Sequence, residues 1–415
     1  MAPGAAAPGA LRSPAVTLLA LLLAPSACGA PASFAHPGVV VGAADLAAAR
    51  ARLAAGAEPQ ASFVASAKAL PQGRASYVAA GPPANGTISC GYYDKPDIGC
   101  SAQMNDVNSA YTQALLFALG AGDAALAAAS RATLRLYTDG LKRYTNNTEG
   151  TCCGNEALQA AWVGVKLAQT GELLRYSAGS GWSDADSAAL SALLYNVHVP
   201  LLVRGTDANG NWMASFVDTL LAVAVFSENA TLYDLALLDL RLRLPSYYYI
   251  DSDGAGPPPD PQPNCQPQPV CEWYGQLVFD ARVSGVCQET CRDMGHMQMG
   301  FTAFASAAAT ATLQGDDVLR EQAPRLFAAA EFAASLISGA RSVNDTLLCS
   351  NRTGGVIGAS TAPTFELAHK TFARLGMDDA QTRRQLANVR SATLKGGQFY
   401  ICGAWESITF GLPLP

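Results

Sequence analysis

Ten segments of this 415-residue chain carry apolar residues at helical spacing, and strand-like alternation is scarce. They cover residues 105–119, 124–139, 156–167, 183–202, 212–226, 232–242, 296–314, 318–338, 364–375 and 379–386. Most recur at intervals of roughly 20–30 residues, separated by turn signals. Helices that follow one another without strands can bury their apolar stripes only against other helices, so successive ones pair as antiparallel hairpins. No fixed-period repeat is visible, which disfavours an ordinary solenoid. The pattern predicts an all-α fold. Closing such hairpins into an α/α toroid would gather the irregular loops around one mouth, where Asn105, Asn211 and the Arg292–His296 pair would converge. Ahead of the ten, Asp45 reads as the N-cap of a helix through Leu53. Residues 71–100 read as loop, and so does the Pro-rich stretch 256–270, after which helical patterning of the same character resumes.

The chain is long enough to bury a sizeable core, and at 50% hydrophobic residues it is not broadly disordered. Its formal net charge of −6, with no basic stripe, argues against nucleic acid as a partner. Residues 1–32 read as a secretory signal: Arg12 is the one early cation, an apolar run covers 15–24, and Ala27, Gly29, Ala30 and Ala32 offer a cleavage site. That run is short for a bilayer span, so no membrane association is expected after its removal. The expected product is one catalytic domain over 33–415, a secreted or extracellular monomer (periplasmic in a bacterium). Without Cys28, ten of the eleven cysteines remain, an even count that suggests disulfides. Cys90 with Cys100, Cys265 with Cys271, and Cys287 with Cys291 are plausible local pairs. Zinc on Cys265, Cys271, Cys287 and Cys291 is disfavoured, because the tight Cys-x-x-Cys knuckles are missing. With only four histidines, no metal and no cofactor are expected. Sequons at Asn85, Asn146, Asn229, Asn344 and Asn351 fit a secreted glycoprotein.

The run from Cys291 to Gln298 gathers an arginine, an acid and a histidine in a weakly charged protein. On a helical segment Arg292 and His296 share a face. That pair can neutralise a carboxylate and move a proton; the plain alternatives are an ordinary ion pair and a satisfied histidine. Around the run stand Asn209-Gly210-Asn211-Trp212, Ala224-Val225-Phe226, Pro245-Ser246-Tyr247-Tyr248-Tyr249, Gln288-Glu289-Thr290-Cys291-Arg292-Asp293-Met294-Gly295-His296, Gln314-Gly315-Asp316-Asp317 and Trp405-Glu406-Ser407. This ordered series, spanning about residues 105–409, resembles the alginate lyase domain family of polysaccharide lyases. The resemblance implies an α/α toroid (an incomplete α/α barrel) and β-elimination on a uronic-acid polysaccharide such as alginate or a glucuronan. The implied partner is therefore an acidic polysaccharide. The best-studied alginate lyases carry Asn-His where this chain has Asn211-Trp212, so that histidine's role does not carry over to position 212.

A lyase must take the proton on carbon 5 of a uronate beside a carboxylate that disfavours further negative charge. It needs donors or a cation on the carboxylate, a base near the proton and an acid for the leaving oxygen. Arg292 suits the carboxylate, with Asn211 adding an amide donor. His296 suits the base; tyrosine is the other common proton carrier, with Tyr249 preferred over Tyr247 and Tyr274. Gln103, Asn105 and Asp106, read as opening a helix, line sugar subsites or serve as N-caps. Trp212 and Trp405 stack on sugar rings or belong to the core. Gln298, Glu366 and Glu406 complete the substrate-binding set. Two rivals use the same residues differently: a hydrolase with Glu366 and Glu406 as acid and base, and a non-catalytic glycan-binding protein.

Overall fold

The structure, a computed structural model, describes residues 31, 33–91, 95–145, 155–204, 208, 210–261, 272–349, 365–401 and 403–414. The signal segment, the Cys265–Cys271 pair and the sequons at Asn146 and Asn351 lie outside the described residues. Helices α1 (Ala43–Ala54) and α2 (Gln60–Ala69) precede a run of hairpins. These pair α3 (Cys100–Ala118) with α4 (Ala124–Gly140), and α5 (Glu156–Arg175) with α6 (Asp184–Leu193) and α7 (Val199–Arg204). Next come α8 (Gly210–Phe226) with α9 (Ala230–Tyr247), and α10 (Met294–Leu313) with α11 (Val318–Glu321) and α12 (Ala323–Ile337). Helices α13 (Phe365–Leu375) and α14 (Ala380–Thr393) follow, and the short α15 (Glu406–Thr409) ends the series. The strands are small. β1 (Thr87–Cys90) lies between antiparallel β2 (Asp97–Ile98) and parallel β3 (Arg143–Thr145), while β4 (Phe399–Tyr400) and β5 (Gly403–Ala404) form a hairpin.

The chain is an α/α toroid. Helix α8 packs on both α5 and α10, and α5 also packs on α3; α4 backs α3 and α9 backs α8. Side chains tie the inner helices in register. Gln159 of α5 donates to the carbonyl of Cys100 in α3 at 3.0 Å. Trp162 of α5 donates to Ser215 of α8 at 3.2 Å, and Ser306 of α10 to Asp218 of α8 at 2.7 Å. In each pair the two residues lie within four residues of the same depth from their helix starts, so α3, α5, α8 and α10 run parallel with their N-termini at one end. Apart from half-buried Trp212, every side chain of α8 is buried. Each large apolar side chain there contributes about 1.5–3 kcal/mol.

Several boundaries differ from the sequence reading. Gly42, not Asp45, is the N-cap of α1; Asp45 sits in the first turn and accepts the Gly42 N–H at 3.0 Å. Helix α3 starts at Cys100, so Asn105 and Asp106 lie inside it rather than opening it. The apolar pattern over 318–338 is split into α11 and α12, with Pro324 in the first turn of α12. Helix α2, absent from the ten patterns, is Ala- and Ser-rich with little amphipathic contrast.

The Cys90–Cys100 disulfide forms as the spacing suggested. Cys291, however, pairs with Cys349 across 58 residues, and Cys287 is a buried free thiol. Gln276 ties this region together: its Oε1 accepts the Cys349 backbone N–H at 3.0 Å, and its Nε2 donates to the Leu347 carbonyl at 3.0 Å. Nearness in the fold, not in sequence, selects the partner of Cys291.

Candidate active site

The N-terminal ends of α8 and α10 meet at Glu289, an acid to which the sequence reading gave no role. Gly210, with φ of 63°, opens α8 in the left-handed region, and a Cβ there would lie 3.1 Å from the Glu289 carboxyl. This close approach lets Asn211 donate to Glu289 twice, from its backbone N–H at 3.0 Å and its amide Nδ2 at 2.6 Å. Tyr247, at the end of α9, donates its hydroxyl at 2.8 Å. A Cβ on Gly300 of α10 would stand 2.1 Å from that hydroxyl, so the tyrosine reaches Glu289 only because position 300 lacks a side chain. Arg292 adds a longer bond at 3.2 Å from the rim.

Burial pushes the Glu289 carboxyl above its ordinary value, although Tyr247, Asn211 and the charges of His296 and Arg292 oppose the shift. Burial also pushes the Tyr247 phenol well up, with the neighbouring Cys287 and Glu289 adding to the effect. Tyr247 is therefore a donor here and not a base.

Arg292 and His296 do not share a helix face as the spacing suggested. Arg292 precedes the helix, and Asp293 is the N-cap of α10. The two residues are brought together by the turn, and both act electrostatically on Glu289. Asp293 grips His296 at two points: its Oδ1 accepts the His296 backbone N–H at 2.9 Å, and its Oδ2 meets the ring Nδ1 at 2.6 Å. This fixes the ring so that Nε2 is the atom left to face a substrate. For Asp293 itself burial pushes upward, but the His296 hydrogen bonds and the charges of His296 and Arg292 outweigh it and hold the carboxyl below its ordinary value. His296 is 21% exposed and Arg292 22%, so both remain reachable.

The tyrosine preference needs correction. The Tyr249 hydroxyl donates to the Gly254 carbonyl at 2.9 Å, and its ring packs on Phe279. Burial, then the charges of Asp251, Asp280 and Asp253, push its phenol up, which disfavours it as a base. Tyr274 stands nearer the chemistry: the Arg292 guanidinium lies over its half-buried ring, 5.8 Å from the centroid.

The remaining sequence-predicted residues separate. Trp212 is half-buried beside Asn211 and edge-on to Phe216, and Asn105 is exposed on α3. Gln103 is fully buried, donating to Tyr144 and accepting from Gln159. Asp106 is an anchor: it accepts from Tyr77, Tyr137 and the backbone N–H groups of Ala80 and Gly81, which fastens the 71–100 segment to α3. Gln298 is buried and donates to the Met294 carbonyl within its own helix. Trp405 is core, its indole donating to Thr112 at 2.7 Å. Glu366 is clasped bidentately by Arg390 at 2.7 Å for each bond, and Glu406 is buried in the lumen beneath the mouth. Neither glutamate is a solvated surface acid. His198 is also buried and held neutral, its imidazole pushed down to about 4 by burial against the opposing hydrogen bond to Ala160.

Among the described residues no group of three or more His, Cys, Asp and Glu is arranged to hold a metal. Glu289 and Asp293 were legible only as acids near Arg292. What marks Glu289 in the structure is burial and partners from other helices, which spacing does not carry.

No family model matches the sequence, and no curated protein does. Solved structures do share the fold. Alginate lyase A1-III from Sphingomonas species A1 superposes with a TM-score of 0.60 at 13% identity, over 92% of this chain and 98% of that one. A variant of A1-III complexed with a tetrasaccharide gives 0.57 at 14% identity, over 84% and 91%. An alginate lyase from Bacteroides ovatus gives 0.56 at 11% identity, over 87% and 97%. At such identities the likeness establishes the α/α toroid.

Proposed function

We propose that this chain is a secreted polysaccharide lyase that cleaves a uronic-acid-containing polysaccharide, alginate or glucuronan-like, by β-elimination. The observation that carries the reading is the cluster in which Glu289 gathers Asn211, Tyr247 and Arg292 next to the Asp293-oriented His296. The setting favours an acidic polymer. Four inner helices start at this end, and helix N-termini carry partial positive charge. Alginate lyases with the same fold, one of them holding a tetrasaccharide, support the substrate class.

Arg292 meets the uronate carboxylate. The incoming carboxylate competes with the 3.2 Å bond to Glu289, while Glu289 keeps its shorter bonds from neutral donors. Bringing a second carboxylate close favours protonation of Glu289, whose carboxyl burial already biases that way. A protonated Glu289 then donates to the uronate, and the charge that builds on it during proton removal is spread over Arg292 and this acid. His296, through Nε2, takes the proton from carbon 5. Tyr274, beside Arg292, supplies a phenol for the leaving oxygen. Trp212 offers a half-buried ring at the mouth for a sugar face. The hydrolase rival loses its acid–base pair, because Glu366 is bound up by Arg390 and Glu406 is enclosed.

The test is incubation with a panel of polyuronates while recording ultraviolet absorbance, since elimination leaves a conjugated unsaturated uronate. Absorbance rising with chain cleavage is the expected result. New reducing ends without absorbance would instead indicate hydrolysis. Glycan binding without turnover, unchanged by Arg292→Ala and His296→Ala, would indicate a binding protein.

A further inference from the structure

Beneath the mouth lies a partly open cavity of about 10 Å³, on the scale of one water molecule. Its wall includes Tyr111, Gln169, Thr302, Ser306, Gly403 and Glu406. The elimination chemistry uses none of these. Glu406 stands out because it is 6% exposed and its Oε2 has no hydrogen-bond partner. A buried carboxylate with an unsatisfied oxygen is costly, whereas a neutral acid in the same place is tolerable.

We propose that Glu406 is a pH latch for the mouth: as a neutral acid it lets the β4–β5 hairpin seat in the lumen, and on ionising it unseats that hairpin. Only the consequence for turnover rests on the lyase reading.

The hairpin connects the two places. A Cβ on Gly403 would stand 2.9 Å from Glu406 Oε1, so the acid lies directly against the β5 backbone. The Gly403 carbonyl accepts from Lys166 at 3.0 Å, and Gly403 pairs with Tyr400 across the hairpin. The Tyr400 hydroxyl donates at 3.0 Å to the carbonyl of Gly295, the residue before His296. A shift at Gly403 therefore reaches the first turn of α10 through one strand pair and one hydrogen bond.

Each element packed around Glu406 sets its charge balance. Helix α5 contributes Lys166, whose amine also bonds Asn108 at 2.9 Å. Helix α13 contributes Glu366, bonded to Arg390 of α14, together with the Leu367 N–H. Helix α3 contributes Tyr111, and α10 the neutral Thr302 and Ser306, the latter bonded to Asp218 of α8. Val40 and Val41, just ahead of α1, are apolar, and beyond Phe410 lies Lys370, paired with Asp45. Burial first, then the charge of Glu366, pushes Glu406 up to about 8, against Leu367 and Lys166. The folded value lies above the unfolded one. The stability this group contributes is thus full below the ordinary carboxyl range, declines as pH rises, and is lost through about 8.

Two readouts that need no substrate test the latch. Infrared spectroscopy should show a neutral-acid carbonyl band near neutral pH that vanishes in alkali and is missing in Glu406→Gln, a close mimic of the neutral form. Hydrogen exchange of the amides at the start of α10 should accelerate about tenfold across the same transition in the parent, and stay slow in Glu406→Gln. Tyr400→Phe should speed that exchange at every pH and keep the infrared band. The proposal is overturned if the band is absent from the parent, if Glu406→Gln retains the same alkaline acceleration, or if Tyr400→Phe leaves the exchange unchanged. A missing ultraviolet product would sink the lyase reading and leave both readouts standing.

Discussion

Glu289 at the mouth and Glu366 in the lumen are both buried, and they are satisfied in opposite ways. At the mouth Glu289 is held mainly by neutral donors, a backbone N–H, an amide and a phenol, with one longer bond from a rim arginine. In the lumen Glu366 is matched by a full counter-charge: Arg390 makes two 2.7 Å bonds to it, and Ser407 adds a third. The lumen pair is closed, with its charges cancelled and its oxygens occupied. At the mouth the arginine is engaged weakly with its acid, which leaves the cluster able to respond to an arriving anion. The same residue types build a clamp in one place and a receptive site in the other, and donor identity makes the difference.

The comparison breaks most visibly at His296. His296→Ala should lower kcat/KM on the responsive polyuronate by about 10²–10⁴-fold, the usual loss for a general acid–base group. Its side chain is partly exposed, so the melting temperature should hardly move. An equal fall in stability, read by thermal unfolding, would make His296 part of the scaffold. The mirror experiment is Glu366→Ala. Leaving the half-buried Arg390 without its fully buried acid should cost about 3–5 kcal/mol of stability, with turnover per folded molecule retained. Denaturant unfolding alongside active-fraction measurement separates the two quantities.

Between these stands Asp293→Ala, which removes both the α10 cap and the grip on His296. Loss of the cap should cost about 1 kcal/mol. The folded-state carboxyl sits below its unfolded value, so this stability is present above the ordinary carboxyl range and lost as pH falls through the lower, folded value. Parent and variant should therefore converge in acid. A constant gap at all pH values would mean that the carboxylate's charge is not what stabilises the cap.

The fold was largely legible because helical periodicity over long segments is a strong signal: the ten patterns overlap the long helices. Exceptions have local causes. The pattern ended at 242, whereas α9 runs to Tyr247, with Pro245 in its last turn. The Ala- and Ser-rich face of α2 gave little periodic contrast. The site was legible only in part. Arg292, His296 and Asn211 could be named because cations, imidazoles and ordered motifs stand out in a weakly charged chain. Glu289 and Gly300 act through contacts between α8, α9 and α10, and a contact leaves no period in a sequence. The same limit misdirected Glu366 and Glu406, which read as substrate-binding acids in the sequence and are buried in the fold.

The tyrosines give the smallest and most discriminating effect. Tyr249 lies two residues from Tyr247 in sequence, yet its hydroxyl serves the loop at Gly254 while Tyr247 serves Glu289. Tyr249→Phe should cost about 1 kcal/mol for the lost hydrogen bond and leave turnover near the parent value. Tyr247→Phe removes one of the neutral donors to Glu289, and Tyr274→Phe removes the phenol beside Arg292. Both should lower turnover well beyond any change in stability. A Tyr249→Phe variant slowed as strongly as Tyr274→Phe, by kcat/KM on the same polymer, would move proton transfer to the Tyr249 side of the mouth. The contrast between a responsive Glu289 cluster and closed structural pairs would then have to be redrawn around the loop acids Asp251, Asp253 and Asp280.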